Sequence, residues 1–248
     1  MIRTVCTSIA TAFLFAALAL PAVRASDSDD TSDNISPLVV TADFNRDGIA
    51  DMVQVTPPEG NLAEPRTLTV SLGQADGSFK TAELRQLLGR DPQAIVAGDF
   101  NGDGNPDVIV GDADGSLLEF LGDGKGNLVS HGDITRLSSV VSIAVGDFNH
   151  DGFLDLAVSD SRANTVTVLA GDGKGSFRPA WSFRLPMQGR IFRLAAADFN
   201  RDGIPDLAVT SEDDGSFDFE VMLGNGNGTF TYAPELSKLK DPNAHCVT

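Results

Sequence analysis

The 248-residue chain carries 35 acidic and 18 basic side chains for a formal net charge of −17, with 42% hydrophobic and 7% aromatic residues. That balance argues against a nucleic-acid partner, which needs lysine and arginine to neutralise phosphate. Only two cysteines, Cys6 and Cys246, are present, so a disulfide framework is excluded.

In chain order, residues 1–25 read as a secretory signal peptide. Arg3 makes the start basic, Ile9 to Leu20 form an apolar stretch too short to span a bilayer comfortably, and Val23-Arg24-Ala25 places small residues at a cleavage site. Nothing later in the chain resembles a membrane span. Cys6 lies far from the cleavage point, which argues against a lipoprotein anchor. The protein is therefore expected outside the cytoplasm: extracellular, periplasmic or at the cell surface. Loss of Arg3 and Arg24 takes the net charge from −17 to −19. Residues 26–36 form a polar lead-in whose composition predicts disorder. Residues 37–236 divide into four similar units, at about 37–90, 91–138, 139–188 and 189–236, and residues 237–248 are a tail containing Cys246.

Each unit contains one nine-residue phrase. The first reads Asp43-Phe44-Asn45-Arg46-Asp47-Gly48-Ile49-Ala50-Asp51; the others run from Asp99 to Asp107, Asp147 to Asp155 and Asp198 to Asp206. Asp stands at positions 1, 5 and 9, Phe at 2, Asn at 3 and Gly at 6. Oxygen donors around a glycine-enabled turn are the ligand set of a hard cation, since calcium takes six to eight oxygens in flexible geometry. The candidate ligands are Asp43, Asn45, Asp47, Asp51; Asp99, Asn101, Asp103, Asp107; Asp147, Asn149, Asp151, Asp155; and Asp198, Asn200, Asp202, Asp206. Backbone carbonyls come from position 7: Ile49, Asn105, Phe153 and Ile204. About four calcium ions, one per repeat, are expected. An EF-hand is excluded, because position 12 is Gln54, Val110, Val158 or Val209 instead of a bidentate Glu, and the phrase runs into strand-forming residues.

An apolar run precedes each phrase and a short strand follows it. After a polar turn comes a third strand, at Leu68 to Leu72, Leu117 to Leu121, Thr165 to Leu169 and Phe219 to Leu223. A glycine-rich turn closed by an apolar residue leads into a fourth extended stretch: Gly73 to Phe79, Gly122 to Leu128, Gly171 to Phe177 and Gly224 to Phe230. Four-stranded units repeated every ~50 residues predict an all-β, β-propeller-like array with metal loops between strands. Helix signal is nearly absent; the best stretch is Ala82 to Gly89.

The D-F-N-x-D-G-x-x-D phrase, followed by a strand and a later G-x-G-x-G-x-F turn, resembles the FG-GAP/VCBS repeat family over about residues 37–236. The resemblance implies propeller blades like those of the integrin α-subunit head, with calcium in the hairpin loops. The Gly-Ala-Pro segment of integrin-type repeats is missing, so the bacterial VCBS style is nearer. Members usually have about seven blades, whereas this chain has four. The four could close as a small ring, pair with a second chain into a larger ring, or stay open; a compact or homodimeric ring is favoured, because open arcs expose strand edges and apolar faces.

No Ser-His-Asp or Cys-His order and no nucleophile elbow stands out. Gly122-Asp-Gly124-Lys125-Gly126 lacks the Ser/Thr of a phosphate loop and reads as a turn. His150, at position 4 of the third phrase, should face solvent. From Gly173 to Ala197 there is no acid; Lys174, Arg178, Arg184, Arg190 and Arg193 accompany Trp181, Phe177, Phe183 and Phe192. That strip is either a surface for acidic ligands or, the favoured reading, interblade core whose arginines pair with loop aspartates. The whole predicts a secreted, non-enzymatic calcium-binding repeat module that binds a protein or glycan ligand in an adhesion-type role. The alternatives are an assembly element of a cell-surface complex or a calcium-dependent polysaccharide-degrading enzyme.

Overall fold

The computed structural model describes residues 38–56, 66–86, 91–184, 190–213, 216–234 and 236. The signal peptide, the polar lead-in, Cys246 and most of the first polar turn lie outside the described residues.

Sixteen strands form four antiparallel four-stranded sheets, each a meander in chain order. Blade 1 is β1 (Leu38–Ala42), β2 (Asp51–Thr56), β3 (Thr67–Gly73) and β4 (Phe79–Gln86). Blade 2 is β5 (Pro92–Gly98), β6 (Asp107–Asp112), β7 (Ser116–Gly122) and β8 (Leu128–Arg136). Blade 3 is β9 (Ser142–Gly146), β10 (Asp155–Asp160), β11 (Thr165–Gly171) and β12 (Phe177–Phe183). Blade 4 is β13 (Arg190–Ala197), β14 (Asp206–Asp213), β15 (Ser216–Gly224) and β16 (Phe230–Tyr232). The expected fold class is what the chain adopts. Among the described residues no helix is long and apolar enough to cross a membrane.

The Ala82 to Gly89 stretch is not helical: its described part belongs to β4, paired from Phe79↔Gly73 to Gln86↔Thr67. Weak helix propensity yields here to the ladder that β3 offers.

Side chains alternate across each sheet, and over the first three strands of the inner blades both faces are largely buried. In β6, Val108 and Val110 join a core shared with blade 1, while Ile109 joins a core shared with blade 3. This explains why the second strand of a unit reads as an unbroken apolar run. Three cores result, between blades 1 and 2, 2 and 3, and 3 and 4. The inner strands lie beside one another in the order β1, β5, β9, β13.

Among the described residues no core joins blade 4 back to blade 1. Val40, Val96 and Ala144 occupy one equivalent position and are buried, but Ala195, their counterpart in β13, is exposed. On the other face, Val108, Leu156 and Leu207 are fully buried, whereas Met52 is only partly so. The described blades therefore form an open arc; of the two closures favoured from sequence, compact or homodimeric, the compact four-bladed one is not made.

Candidate metal centre: four acidic loops

Each acidic phrase links the first strand of its blade to the second, so all four loops occupy equivalent corners of the sheets. Their internal geometry repeats. The position-1 carboxylate accepts the backbone N–H groups of positions 5 and 6, at 3.1 and 2.8 Å in the first loop (Asp47 and Gly48 to Asp43). Asp99, Asp147 and Asp198 do the same. The position-3 oxygen accepts that same position-5 N–H: Asn45 from Asp47, Asn101 from Asp103, Asn149 from Asp151 and Asn200 from Asp202. Two side-chain oxygens thus converge on one N–H in every loop. The position-5 carboxylate accepts the N–H of position 7, namely Ile49, Asn105, Phe153 or Ile204, and the amide NH2 of the Asn at position 3.

Position 9 differs in kind. Asp51, Asp107, Asp155 and Asp206 are fully buried. One oxygen accepts the N–H of the loop Phe (Phe44, Phe100, Phe148, Phe199), and the other accepts the N–H of the glycine ending the third strand (Gly73, Gly122, Gly171, Gly224). The carboxylate clamps the loop to the far side of the sheet. The glycine is needed for close approach: a Cβ there would lie 2.1–2.3 Å from the carbonyl oxygen of position 8. Burial pushes Asp107 and Asp155 up to about 6, against the pull of the two backbone N–H donors each accepts, and raises Asp51 as well. Sequence reading took position 9 for a metal ligand and the glycine for a turn residue; the clamp that joins them was missed.

A second repeated device joins successive blades. The loop-Phe carbonyl accepts an N–H from the glycine turn of the next blade: Gly126 to Phe44, Gly175 to Phe100 and Gly228 to Phe148, at 3.0, 3.1 and 2.8 Å. The Phe ring packs on the apolar residue that closes that turn. Phe44 shares a core with Leu128, and the Phe100–Phe177 and Phe148–Phe230 pairs are edge-to-face with centroids 5.8 and 5.4 Å apart. Position 4 also reaches forward: Arg46 donates to the Asp103 carbonyl at 3.2 Å. His150 is exposed, as expected, with a left-handed backbone at φ 58°.

The described aromatic residues of the acid-free strip pack on the cores. Trp181 stacks on Phe183 with centroids 4.5 Å apart, and both pack into the core between blades 3 and 4. Phe177 packs into the core between blades 2 and 3. Arg184 donates to the Ala163 carbonyl, not to a loop aspartate as the favoured reading had it. The side chains of Arg190 and Phe192 lie outside the described residues. Glu119, which no sequence signal singled out, is buried in β7 where the equivalent residues are Val70, Val168 and Val221. It pairs with the half-exposed His131 at 2.6 Å. Burial raises its pKa, and the imidazole works the other way.

A family model described as FG-GAP-like repeat matches residues 43–110, 99–158 and 156–209, well over half of the chain. The chain belongs to this family. Its fold is similar to that of BBS1N, crystallised in complex with ARL6DN and soaked with lead: 14% identity, TM-score 0.51, covering 85% of this chain and 56% of that one. A mercury-soaked crystal of the same complex matches at 14% identity and TM-score 0.51, over 81% and 54%. The FG-GAP-like chain thus spans little more than half the length of these propeller chains. No curated protein matches it.

The donor set of the FG-GAP-like loops fits calcium in kind. Carboxylates, an amide oxygen and a carbonyl per loop are all hard ligands. Among the described residues no three acidic, His or Cys side chains already converge at metal-holding distance. Backbone N–H groups and the Asn amide hold the loop carboxylates, but each carboxylate oxygen has a further lone pair to offer.

Proposed function

We propose that the protein is a secreted, non-enzymatic calcium-binding repeat module that presents its surface to a protein or glycan ligand in an adhesion-type role. The observation that carries this reading is the fourfold repetition of one oxygen-rich loop with one internal hydrogen-bond pattern. Asp and Asn at positions 1 and 3 already turn toward a common backbone N–H in every loop. Positions 1, 3 and 5 and the position-7 carbonyl would hold the ion, with position 9 a further candidate ligand that keeps its clamp. Bound calcium would neutralise the loop charge, which otherwise repels at about 4 kcal/mol per carboxylate pair at ~4 Å and an effective dielectric of ~20. A non-catalytic role is supported by the packing of Trp181, Phe183 and Phe177 against the interblade cores and by the absence of a nucleophile–base pair in the sequence.

Thermal melting in EDTA and in millimolar CaCl2 tests the metal half. Sites with dissociation constants of ~0.1–1 mM, at tenfold excess calcium, add about 1.4 kcal/mol each. The melting temperature should rise markedly and titration calorimetry should count about four ions. An unchanged melt with no binding heat would remove calcium from the reading. Turnover of any polysaccharide in an acidic-glycan panel would overturn the non-enzymatic half. The alternative of an assembly element gains support from the exposed rings of Phe79 and Phe199 on the end blades.

A further inference from the structure

The Phe-to-glycine-turn interlock is made three times, yet the chain carries the parts for a fourth. Among the described residues the loop Phe of blade 4 meets no glycine turn: Phe199 is 38% exposed, against 2%, 2% and 1% for Phe44, Phe100 and Phe148. Among the described residues the glycine turn of blade 1 meets no loop Phe. Phe79 closes it and is 55% exposed, while Leu128 and Phe230 at the same position are buried. The Gly77 N–H, whose counterparts cross to the previous blade, turns back instead to Gln74 O at 2.9 Å. Phe199 is a loop Phe without its turn, and Phe79 a turn residue without its loop.

We propose that a second copy of this chain docks head to tail across these ends, with Phe199 of each copy against the Phe79 turn of the other, closing two arcs into one ring. The occupant is argued from complementarity. Each end displays the missing half of a contact that this sequence builds three times, and an unrelated partner would have no reason to match both. The ends do not satisfy one another within one chain, since both rings are exposed together.

The joint is more polar than the internal ones. Blade 1 offers the half-buried Thr41 and Gln54 where blade 2 carries Ala97 and Val110, while Thr69 and Ser71, at the places of Leu118 and Phe120, are already buried within the single chain. Such a face tolerates water, as terminal repeats must, so association should be reversible and should strengthen with salt that screens the acidic copies.

The test is the mass of the whole mature chain by light scattering and sedimentation over a wide concentration range, in 0.15 M and 0.5 M salt. A monomer–dimer equilibrium tightening with salt is the expected result. Phe79→Lys and Phe199→Glu are exposed changes that leave the three cores intact; each alone should weaken the dimer at least about tenfold, since an aromatic pair of this kind is worth about 1 kcal/mol beyond its burial. The double variant, which restores a complementary pair at each joint, should recover association. A monomer at every concentration, an open ladder of higher masses, or a dimer indifferent to both substitutions would each overturn the proposal.

Discussion

Blades 2 and 3 carry the same phrase and the same clamp as blades 1 and 4, but they lie between neighbours and the outer pair do not. Phe148 and Phe199 occupy the same position, make the same N–H bond to a buried Asp, and differ in one respect: Phe148 has Phe230 of the next blade to pack on. The comparison separates what a repeat does for itself from what it does for its neighbour. The clamp is internal and is complete in all four blades. The interlock is shared, and the outer blades each hold half of one.

The sharpest way to break the internal device is Asp155→Ala. It strands the N–H groups of Phe148 and Gly171 in a fully buried site, at about 1–3 kcal/mol for each unsatisfied donor, so a loss of about 4 kcal/mol is expected. Most of that loss should persist in EDTA, because the two clamp hydrogen bonds form without an ion. Asp151→Ala, on the exposed rim of the same loop, should cost within about 1 kcal/mol in EDTA and more in calcium. Chemical denaturation of both variants in both buffers gives the answer. If the two behaved alike, the division between clamp and ligand would be wrong.

The shared device is broken by Phe148→Ala, which empties a buried ring site beside Phe230 and should cost about 3 kcal/mol. Phe199→Ala at the exposed end should cost under about 1 kcal/mol in the dilute monomer. Urea midpoints compared at equal slope would report both.

Titration sharpens the same contrast within the inner blades. Asp107 and Asp155 sit near 6 because burial penalises the carboxylate. A carboxylate whose folded pKa lies above its unfolded value near 3.9 binds its proton more tightly in the folded state. Its stabilising share is therefore full below about 4 and is lost as pH rises through 6, by about 2–3 kcal/mol per group. Asp107→Asn and Asp155→Asn should flatten the pH 4–6 dependence of stability measured in EDTA. A slope unchanged by both substitutions would assign it to other groups.

The blades, their strand order and the loop positions were legible in the sequence because a four-times-written phrase constrains itself: only an element common to all copies fits every copy. Trp181 and Phe183 as core were legible for the same reason, since apolar residues at alternating positions need a covering blade. The open arc was not, because Phe44 and Phe199 are one residue type in one phrase, and burial depends on a neighbour that the phrase does not contain. Nor was the clamp, since Asp at positions 1, 5 and 9 looks alike until the chain brings Gly73, 22 residues away, against Asp51. Glu119 was hidden by its own chemistry: an acid in a strand reads as surface until the strand's two faces are both covered.

The smallest effect tests how far the next blade reaches into a turn. Gly77 and Gly126 close equivalent turns at nearly the same left-handed φ, +82° and +86°, so alanine at either costs the same backbone strain, about 1–2 kcal/mol. Only the surroundings differ. A Cβ at Gly77 meets nothing within 4 Å, while one at Gly126 lands 2.8 Å from Leu72 Cδ2 of the preceding blade and presses on the N–H bond to Phe44. Gly126→Ala should therefore destabilise by about 1 kcal/mol more than Gly77→Ala, the cost of overpacking a contact that gives only slightly. Equal losses would mean that the Leu72 side chain swings clear and that the turn belongs to its own blade alone. A larger loss at Gly126 would instead place the glycine turn in the seam between blades, where the exposed turn at Gly77 has nothing to lose until a partner arrives.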